Sequence, residues 1–280
     1  NQQYDEDGLD FIQGSILSGN KNVISIMHMP MTKGKNLRPF GRLRGFLLNN
    51  WYKFFKHKKV LVSYGSRQEF VSYYKSVSNT YVINNAIPQN EKINNFPSQK
   101  SKPKKYINLF FIGQFVNQKN LIELINIWSK LRKDGLDVRM NLIGDGPLKP
   151  KILEKLKIYD DKYWYISGWV SNFKSLLEKV DIYVMPSKFE GLPLSLLEVA
   201  SNGICCVVNP FNGANDVAKY ASWVNVSKSF EKEDFYFLLK ELIIKKTFQK
   251  KVDGKELLKF RQYFSLERMS NQILELIEND

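Results

Sequence analysis

Ile182-Tyr-Val-Met-Pro-Ser-Lys-Phe-Glu-Gly-Leu-Pro-Leu-Ser-Leu-Leu-Glu198 changes its periodicity partway along. Ile182 to Met185 is a short apolar run of strand length. A loop containing Pro and Gly follows, and Pro193 marks a helix start, since its fixed φ suits a first turn. In that arrangement the backbone N–H groups of Gly191 and Leu192 stand free at a helix N-terminus, a place that attracts anions. Two carboxylates, Glu190 and Glu198, flank it. They suit a ligand that carries hydroxyls as well as phosphates, because a carboxylate accepts hydrogen bonds from sugar O–H groups. The plainer alternative is that Glu190 caps the helix and Glu198 is solvated.

Working outward, the same strand–loop–helix unit recurs. Asn108 to Gly113, Val138 to Ile143, Tyr163 to Ile166, Ile182 to Met185 and Ile204 to Val208 read as strands. Helices are expected over 121–131, 148–159, 176–180, 194–200, 232–246 and 266–278. Alternating units of this kind predict a parallel sheet covered on both faces, with ligands at the carboxyl ends of the strands. Upstream, Val23–Met27, Val60–Val62 and Tyr81–Ile83 read as three more strands, with helices near 43–56 and 66–75. The expected organisation is a partial α/β domain over 1–88, a polar, basic linker over 89–105, a complete α/β domain over 106–265 and a C-terminal helix over 266–280.

Composition narrows the function. The chain has 280 residues, 43% of them hydrophobic, enough to bury a core and too apolar for disorder. Its two cysteines are the neighbours Cys205 and Cys206 inside a strand, which excludes a disulfide scaffold and a Cys-rich zinc module and makes both core residues. With two histidines, His28 and His57, a multi-His metal site is not expected. There is neither a P-loop Gly-Lys-Ser/Thr nor a third glycine after Gly144-Asp145-Gly146 to complete a dinucleotide fingerprint. The net charge is +14, and the excess lies upstream: 17 basic and 6 acidic residues through Lys105, against 25 and 22 after it. A localised basic surface calls for an anionic partner.

Taken with its setting, the Glu190-x₇-Glu198 pair resembles the donor-site signature of the retaining family-4 glycosyltransferases (glycosyl transferases group 1) of GT-B fold. Phe111-Ile-Gly-Gln-Phe-Val-Asn-Gln-Lys-Asn120, Leu142-Ile-Gly-Asp-Gly-Pro147, Ile166-Ser-Gly-Trp-Val170 and Ala200-Ser-Asn-Gly203 match it in order and spacing over about residues 106–225. Val62-Ser-Tyr-Gly-Ser-Arg-Gln-Glu69 and Val82-Ile-Asn-Asn-Ala-Ile-Pro88 resemble the last units of that fold's N-terminal domain. The resemblance implies two Rossmann-like domains facing a cleft, the first of them partial, since the Gly-rich loop that opens this domain in the family is not found.

The resemblance also implies roles. Glu190 would contact donor-sugar hydroxyls and Glu198 the nucleotide ribose, with Ser187, Gly191, Leu192 and Pro193 around the sugar and diphosphate. Gly113, Gln114 and Lys119 occupy the diphosphate clasp. Gln114 is a departure, because the family usually has Arg there, and it leaves Lys119 as the cation. Gly144, Asp145 and Val170 would line the base pocket. His28, directly after the strand Val23–Met27, would face the donor sugar and join Glu190 as a catalytic residue. His57, in a Lys-rich run, is read as solvated. Asp5-Glu-Asp7 resembles a metal-binding Asp-x-Asp but has no strand–helix context, and no metal or other cofactor is expected, fixed protein charge taking that role.

The stretch Leu37–Lys59 holds seven Lys and Arg and no acid. On a helix Leu47, Trp51, Phe54 and Phe55 share a face opposite Lys53 and Lys56, a pattern suited to an anionic membrane surface. Trp51, Lys53, Phe55, Lys56 and Lys59 are the expected membrane contacts. The competing nucleic-acid reading finds no supporting motif. The expected function is transfer of a hexose-type sugar, with retention, from a nucleotide-diphosphate donor of UDP-sugar type to a hydroxyl of a glycan or lipid-linked acceptor in bacterial surface polysaccharide synthesis. The expected location is the cytoplasm, peripheral at the inner face of the plasma membrane. The alternative is a non-catalytic transferase-like subunit that binds nucleotide or anionic lipid.

Overall fold

The structure is a computed structural model that describes residues 8–20, 22–29, 41–74, 78–88, 106–170 and 174–278; for 41–45 and 174 it describes the backbone alone. The expected linker at 89–105, the acidic residues 5–7 and residues 37–40 lie outside the described residues.

Two parallel sheets organise the chain. The first has the order β1 (Ile24–Met27), β2 (Lys58–Leu61), β3 (Thr80–Val82). The second contains β4 (Ile107–Ile112), β5 (Val138–Ile143), β6 (Trp164–Ser167), β7 (Ile182–Met185), β8 (Cys205–Val208) and β9 (Val224–Val226), in the order β6-β5-β4-β7-β8-β9. The chain therefore builds outward in one direction from β4, returns, and builds outward in the other from β7.

Side chains alternate across this sheet and both faces are covered, which is why its strands are apolar throughout. Leu109 and Phe111 of β4 join the core under α4 (Leu121–Lys133), α5 (Lys149–Leu156) and α9 (Lys232–Ile244), while Phe110 and Ile112 join the core under α7 (Leu194–Ala200), α8 (Ala214–Ala218) and α10 (Gly254–Tyr263). Cys205 and Cys206 part the same way, to opposite faces. Burial pushes the Cys205 thiol up to about 12 and the Cys206 thiol up as well, so both are inert core residues. On α4, Leu121, Leu124, Ile125, Trp128 and Leu131 repeat at helical spacing and are buried, each side chain contributing roughly 1.5–3 kcal/mol. Lys130, Arg132 and Lys133 in its last turn complement the helix dipole.

The short helix expected over 176–180 is α6 (Lys174–Leu177), and sequence periodicity passed over α1 (Leu9–Leu17), α8, β9 and α10. The signal for α10 was present as a cap. Asp253 accepts hydrogen bonds from the N–H groups of Lys255 and Glu256 at 2.8 and 3.0 Å, an N-cap, while the Glu256 carboxylate turns away to accept from the N–H and hydroxyl of Ser222. The C-terminal helix α11 (Leu266–Glu278) returns to the first sheet, where Leu276 packs with Val60 and Ile83 and its carbonyl accepts a hydrogen bond from Lys58 Nζ at 2.6 Å.

The first domain corrects the reading of the basic helix. In α2 (Gly41–Phe54) the buried residues are Leu48 and Tyr52, locked by Tyr52–Phe70 and Tyr52–Tyr74 ring contacts at 5.2 and 5.0 Å to α3 (Tyr64–Tyr74). Trp51 is half-buried, its indole N–H donating to Gln13 of α1, with Phe55 half-buried against it. The exposed arc is Phe46, Leu47, Asn50, Lys53 and Phe54, positions that fall within about 120° of one another on the helix. Lys59 is not a surface residue. It lies in β2, 1% exposed, its Nζ donating to the His57 carbonyl at 3.0 Å. His57, expected in solvent, is buried too, with Nε2 paired to Ser25 Oγ and Nδ1 to the Phe55 carbonyl. The strand period decides this: 57, 59 and 61 share the face that α2 and α3 cover.

Burial holds Lys59 down at about 8 and His57 down at about 4. The unfolded chain binds more protons than the folded one between pH about 8 and 10.5 for the lysine, so stability rises with pH across that window. For the histidine the window is about 4 to 6.5, and stability falls as pH drops through it. Lys59→Met is expected to flatten the alkaline rise and to stabilise the protein at neutral pH by on the order of 1–3 kcal/mol. Urea unfolding at a series of pH values measures both, and an unchanged alkaline slope would contradict the buried placement.

Candidate functional site

The order of the second sheet reverses between β4 and β7, and loops leaving the two strands there diverge to opposite faces. Such a switch point opens a crevice at the carboxyl ends of the strands. Two residues 71 positions apart meet in it: Lys119, in the 3₁₀ turn Asn117–Lys119 after β4, and Glu190, in the loop after β7, with Nζ to Oε1 at 2.6 Å. Their side chains are 16% and 6% exposed, so the pair is close to fully desolvated and its geometry is tightly set.

Three glycines let the loops around the crevice approach closely, the loop after β5 against that after β4 and the loop after β7 against that after β1. Gly144, at φ 142°, has the Gly113 carbonyl where a Cβ would be, at 2.0 Å, and Gly146 meets the Phe115 backbone in the same way at 2.6 Å. Bonds from Gly113 N to the Ile143 carbonyl and from Phe115 N to the Asp145 carbonyl continue the β4–β5 pairing into the loops. The Asp145 carboxylate accepts from Lys149 Nζ at 2.7 Å and from Gly146 N, and the lysine holds its pKa below the usual carboxylate range. Gln114 is exposed, and Val170 is half-buried at the end of the β6 loop. The third close contact is at Gly191. A Cβ there would lie 1.7 Å from the His28 carbonyl, so the loop after β1 rests directly on the loop after β7.

His28, 63–65 and 83–85 follow β1, β2 and β3 and all face the second domain. Asn85 Nδ2 donates to the Leu192 carbonyl at 2.7 Å. The Asp216 carboxylate of α8 accepts from Tyr64 N at 2.6 Å, at the start of α3, and from Asn84 Nδ2, while Asn84 Oδ1 accepts from Tyr263. Burial raises the Asp216 pKa above the usual carboxylate range, against the pull of these donors. The carboxyl ends of the two sheets thus oppose one another. Burial lowers the His28 pKa, so its imidazole is neutral at pH 7.

The other expected residues sit nearby. Ser187 is fully buried, and its hydroxyl is without a hydrogen-bond partner among the described residues, although its carbonyl accepts from Asn209. Leu192 is buried, and Pro193 is the N-cap of α7. Glu198 is half-buried on α7, where its carbonyl accepts from Ser201 and Asn202. The structure brings Lys119 to Glu190 and His28 to Gly191. Gln118, Asn85 and Asp216 went unnoticed in the sequence because each acts on a residue remote in the chain.

Residues 107–231 match the sequence model of the family described as Glycosyl transferases group 1. The chain is similar to the UDP-Gal:alpha-D-GlcNAc-diphosphoundecaprenol alpha-1,3-galactosyltransferase of Escherichia coli, 30% identical over 39% of this chain and 29% of that protein. It is also similar to the amylovoran biosynthesis glycosyltransferase AmsD of Erwinia amylovora, 27% identical over 50% of this chain and 40% of that one. The matched part therefore spans well under half the length of these relatives. Among solved structures it resembles Anabaena Alr3699/HepE in complex with UDP and glucose, with a TM-score of 0.75 and 14% identity over 99% of this chain and 77% of that chain. TarM gives 0.73 and 17% over 95% and 53%. The fold is GT-B, two Rossmann-like domains with their sheets' carboxyl ends opposed.

Breaking the desolvated pair from one side should be costly. Lys119→Met strands the Glu190 carboxylate and is expected to destabilise the protein by on the order of 3 kcal/mol, while Lys119→Met with Glu190→Gln recovers most of that loss. Thermal unfolding of the single and double variants measures the coupling. Additive losses would mean that the two side chains do not interact.

Proposed function

We propose that the chain is a retaining glycosyltransferase that moves a hexose-type sugar from a UDP-sugar to a hydroxyl of a glycan or lipid-linked acceptor, in the synthesis of bacterial surface polysaccharide. The observation that carries this reading is the Lys119–Glu190 pair in the crevice between β4 and β7. The pair sets a cation and a carboxylate at one point, in a setting where charges act strongly. With donor bound, the Lys119 ammonium meets the diphosphate and the Glu190 carboxylate accepts from sugar hydroxyls. The neutral His28 imidazole offers a donor and an acceptor from the other side of the cleft. Glu198 holds the ribose, and Ser187, Gly191, Leu192 and Pro193 surround the sugar and phosphates.

In the reaction the bond from the anomeric carbon to the phosphate oxygen breaks and the acceptor oxygen bonds to the same face. The acceptor proton passes to the departing phosphate oxygen. Fixed positive charge at Lys119 stabilises the leaving group, so no metal enters this reading. Gln114 in place of Arg adds a hydrogen-bond donor but no charge, which concentrates the demand on Lys119. Supporting context comes from the E. coli relative, named for a UDP-Gal donor and a diphosphoundecaprenol-linked acceptor, and from the HepE structure with UDP and glucose.

The same reading places the protein at the cytoplasmic face of an anionic membrane. No described helix is long and apolar enough to cross a membrane. The exposed arc of α2 instead presents Phe46, Leu47 and Phe54, at 62%, 57% and 78% exposure, beside Lys53 and with Lys56 just past the helix end. Apolar residues within a basic surface suit peripheral attachment.

Calorimetry with UDP and uridine, together with a transfer assay, tests the site. Lys119→Ala is expected to weaken UDP by roughly 10- to 100-fold and to leave uridine nearly unchanged, since a hydrogen bond to a charged group is worth about 1.5–3 kcal/mol. Glu190→Ala should abolish transfer and retain UDP. A parent protein that binds neither UDP nor another nucleoside diphosphate would end the reading.

Vesicle co-sedimentation tests the attachment. The parent is expected to bind anionic vesicles and to ignore neutral ones. Phe46→Ser with Phe54→Ser, or Lys53→Glu with Lys56→Glu, should release it, each charge near the surface contributing about 1 kcal/mol. Equal binding by the variants would place the contact elsewhere.

A further inference from the structure

Gln118 touches three of the segments that converge on the crevice. Its side-chain Nε2 donates to the Phe189 carbonyl at 2.8 Å and to Met29 Sδ at 3.3 Å. Its own carbonyl accepts from Lys188 N at 2.8 Å. Phe189 and Lys188 immediately precede Glu190, and Met29 follows His28. Lys119, the next residue, holds the Glu190 carboxylate itself. One side chain therefore ties the β7 loop to the β4 loop and both of them to the β1 loop of the other domain. An amide fits this place chemically. Nε2 has two N–H groups, and both of its partners can only accept.

We propose that Gln118 is a positioning residue that sets the Glu190 carboxylate and makes that setting depend on apposition of the two domains. This rests on the function proposed above. The two bonds divide the work. The bond to Phe189 is short and stays within one domain, so it shapes the loop. The bond to Met29 reaches a weak acceptor across the cleft and exists only while the β1 loop lies on the β7 loop, as the His28–Gly191 contact shows it does. When the domains part, that N–H is left for water, and the loop loses a restraint on the side facing the sugar. The backbone bond from Lys188 N survives any substitution at 118. A variant should therefore shift the loop without unfolding it. Gln118 itself bonds to a carbonyl, a thioether and a backbone amide, so its action on substrate runs through Glu190.

The test uses Gln118→Leu, Gln118→Glu and Met29→Leu in the full chain. Three measurements are made: donor kcat, UDP affinity, and hydrogen exchange over 186–191. Gln118→Leu and Gln118→Glu are expected to lower kcat by on the order of 10- to 100-fold, the loss that a displacement of about 1 Å brings. UDP affinity should stay within a few-fold of the parent, because Lys119 and Glu198 are untouched. Relative to the parent at each pH, Gln118→Glu should regain activity toward the carboxylic-acid range, where its protonated form donates again. Gln118→Leu should not. Met29→Leu should give a smaller kcat loss of the same kind. Exchange over 186–191 should quicken in both Gln118 variants. Full activity in them, a matching loss of UDP affinity, or unchanged exchange would overturn the proposal. Exchange needs no substrate, so a parent without UDP binding would remove the proposed function while the clamp was still judged.

Discussion

Strand order reverses between β4 and β7, and most of the site follows from that reversal. A parallel sheet that grows in both directions from its centre must send neighbouring loops to opposite faces. The loops on either side of the resulting gap are anchored on strands of the sheet, so side chains placed there keep their positions with little loss of entropy on binding. Lys119 and Glu190 occupy that gap at hydrogen-bond distance. Their mutual attraction also makes them tolerable in a nearly dry setting, where either alone would be costly.

The second constraint is the contact between domains. GT-B proteins place two sheets with their carboxyl ends opposed, and here the approach is close enough that residue identities are dictated by it. Gly191 has the His28 carbonyl in the space of a side chain, and Gly65 meets the Asn212 carbonyl in the same manner at 2.2 Å. Around those contacts Asp216 and Asn85 satisfy backbone groups of the opposite domain, and Asn84 pairs across the cleft with the side chains of Asp216 and Tyr263. Val62 and Ile87 of the first domain join the core cluster of the second, and α11 runs back to bury Leu276 under β2 and β3. The cleft is thus built from groups whose partners lie across it, so loop position and domain position are energetically linked.

Charge plays different parts in the two domains. In the second, acids and bases nearly balance and pair locally, as in Lys149–Asp145 and Lys240–Asp134. In the first, the basic excess is distributed by the pleat and the helix period. Lys59 is drawn inside with His57 because alternate residues of β2 face α2 and α3, whereas Lys53 and Lys56 stay in solvent beside exposed phenylalanines.

Strand and helix periodicities, read along the chain, were enough to predict a parallel α/β fold, five of the six strands of the second domain and the loops that carry the site. These are local properties: an apolar run, a glycine in a turn and a proline at a helix start are each read within a few residues. Caps without a long apolar repeat, such as Asp253, were also present but quieter. Tertiary structure alone decided which groups meet. Lys119 reaches Glu190, and Gln118 reaches Phe189 and Met29, across 71 to 89 residues of chain. It also decided which face of α2 is buried, because Leu48 and Tyr52 find Phe70 and Tyr74 of α3, and helix spacing alone could equally have turned Leu47 and Trp51 inward. Distance in sequence carries no information about a contact that depends on strand order and on the approach of two domains.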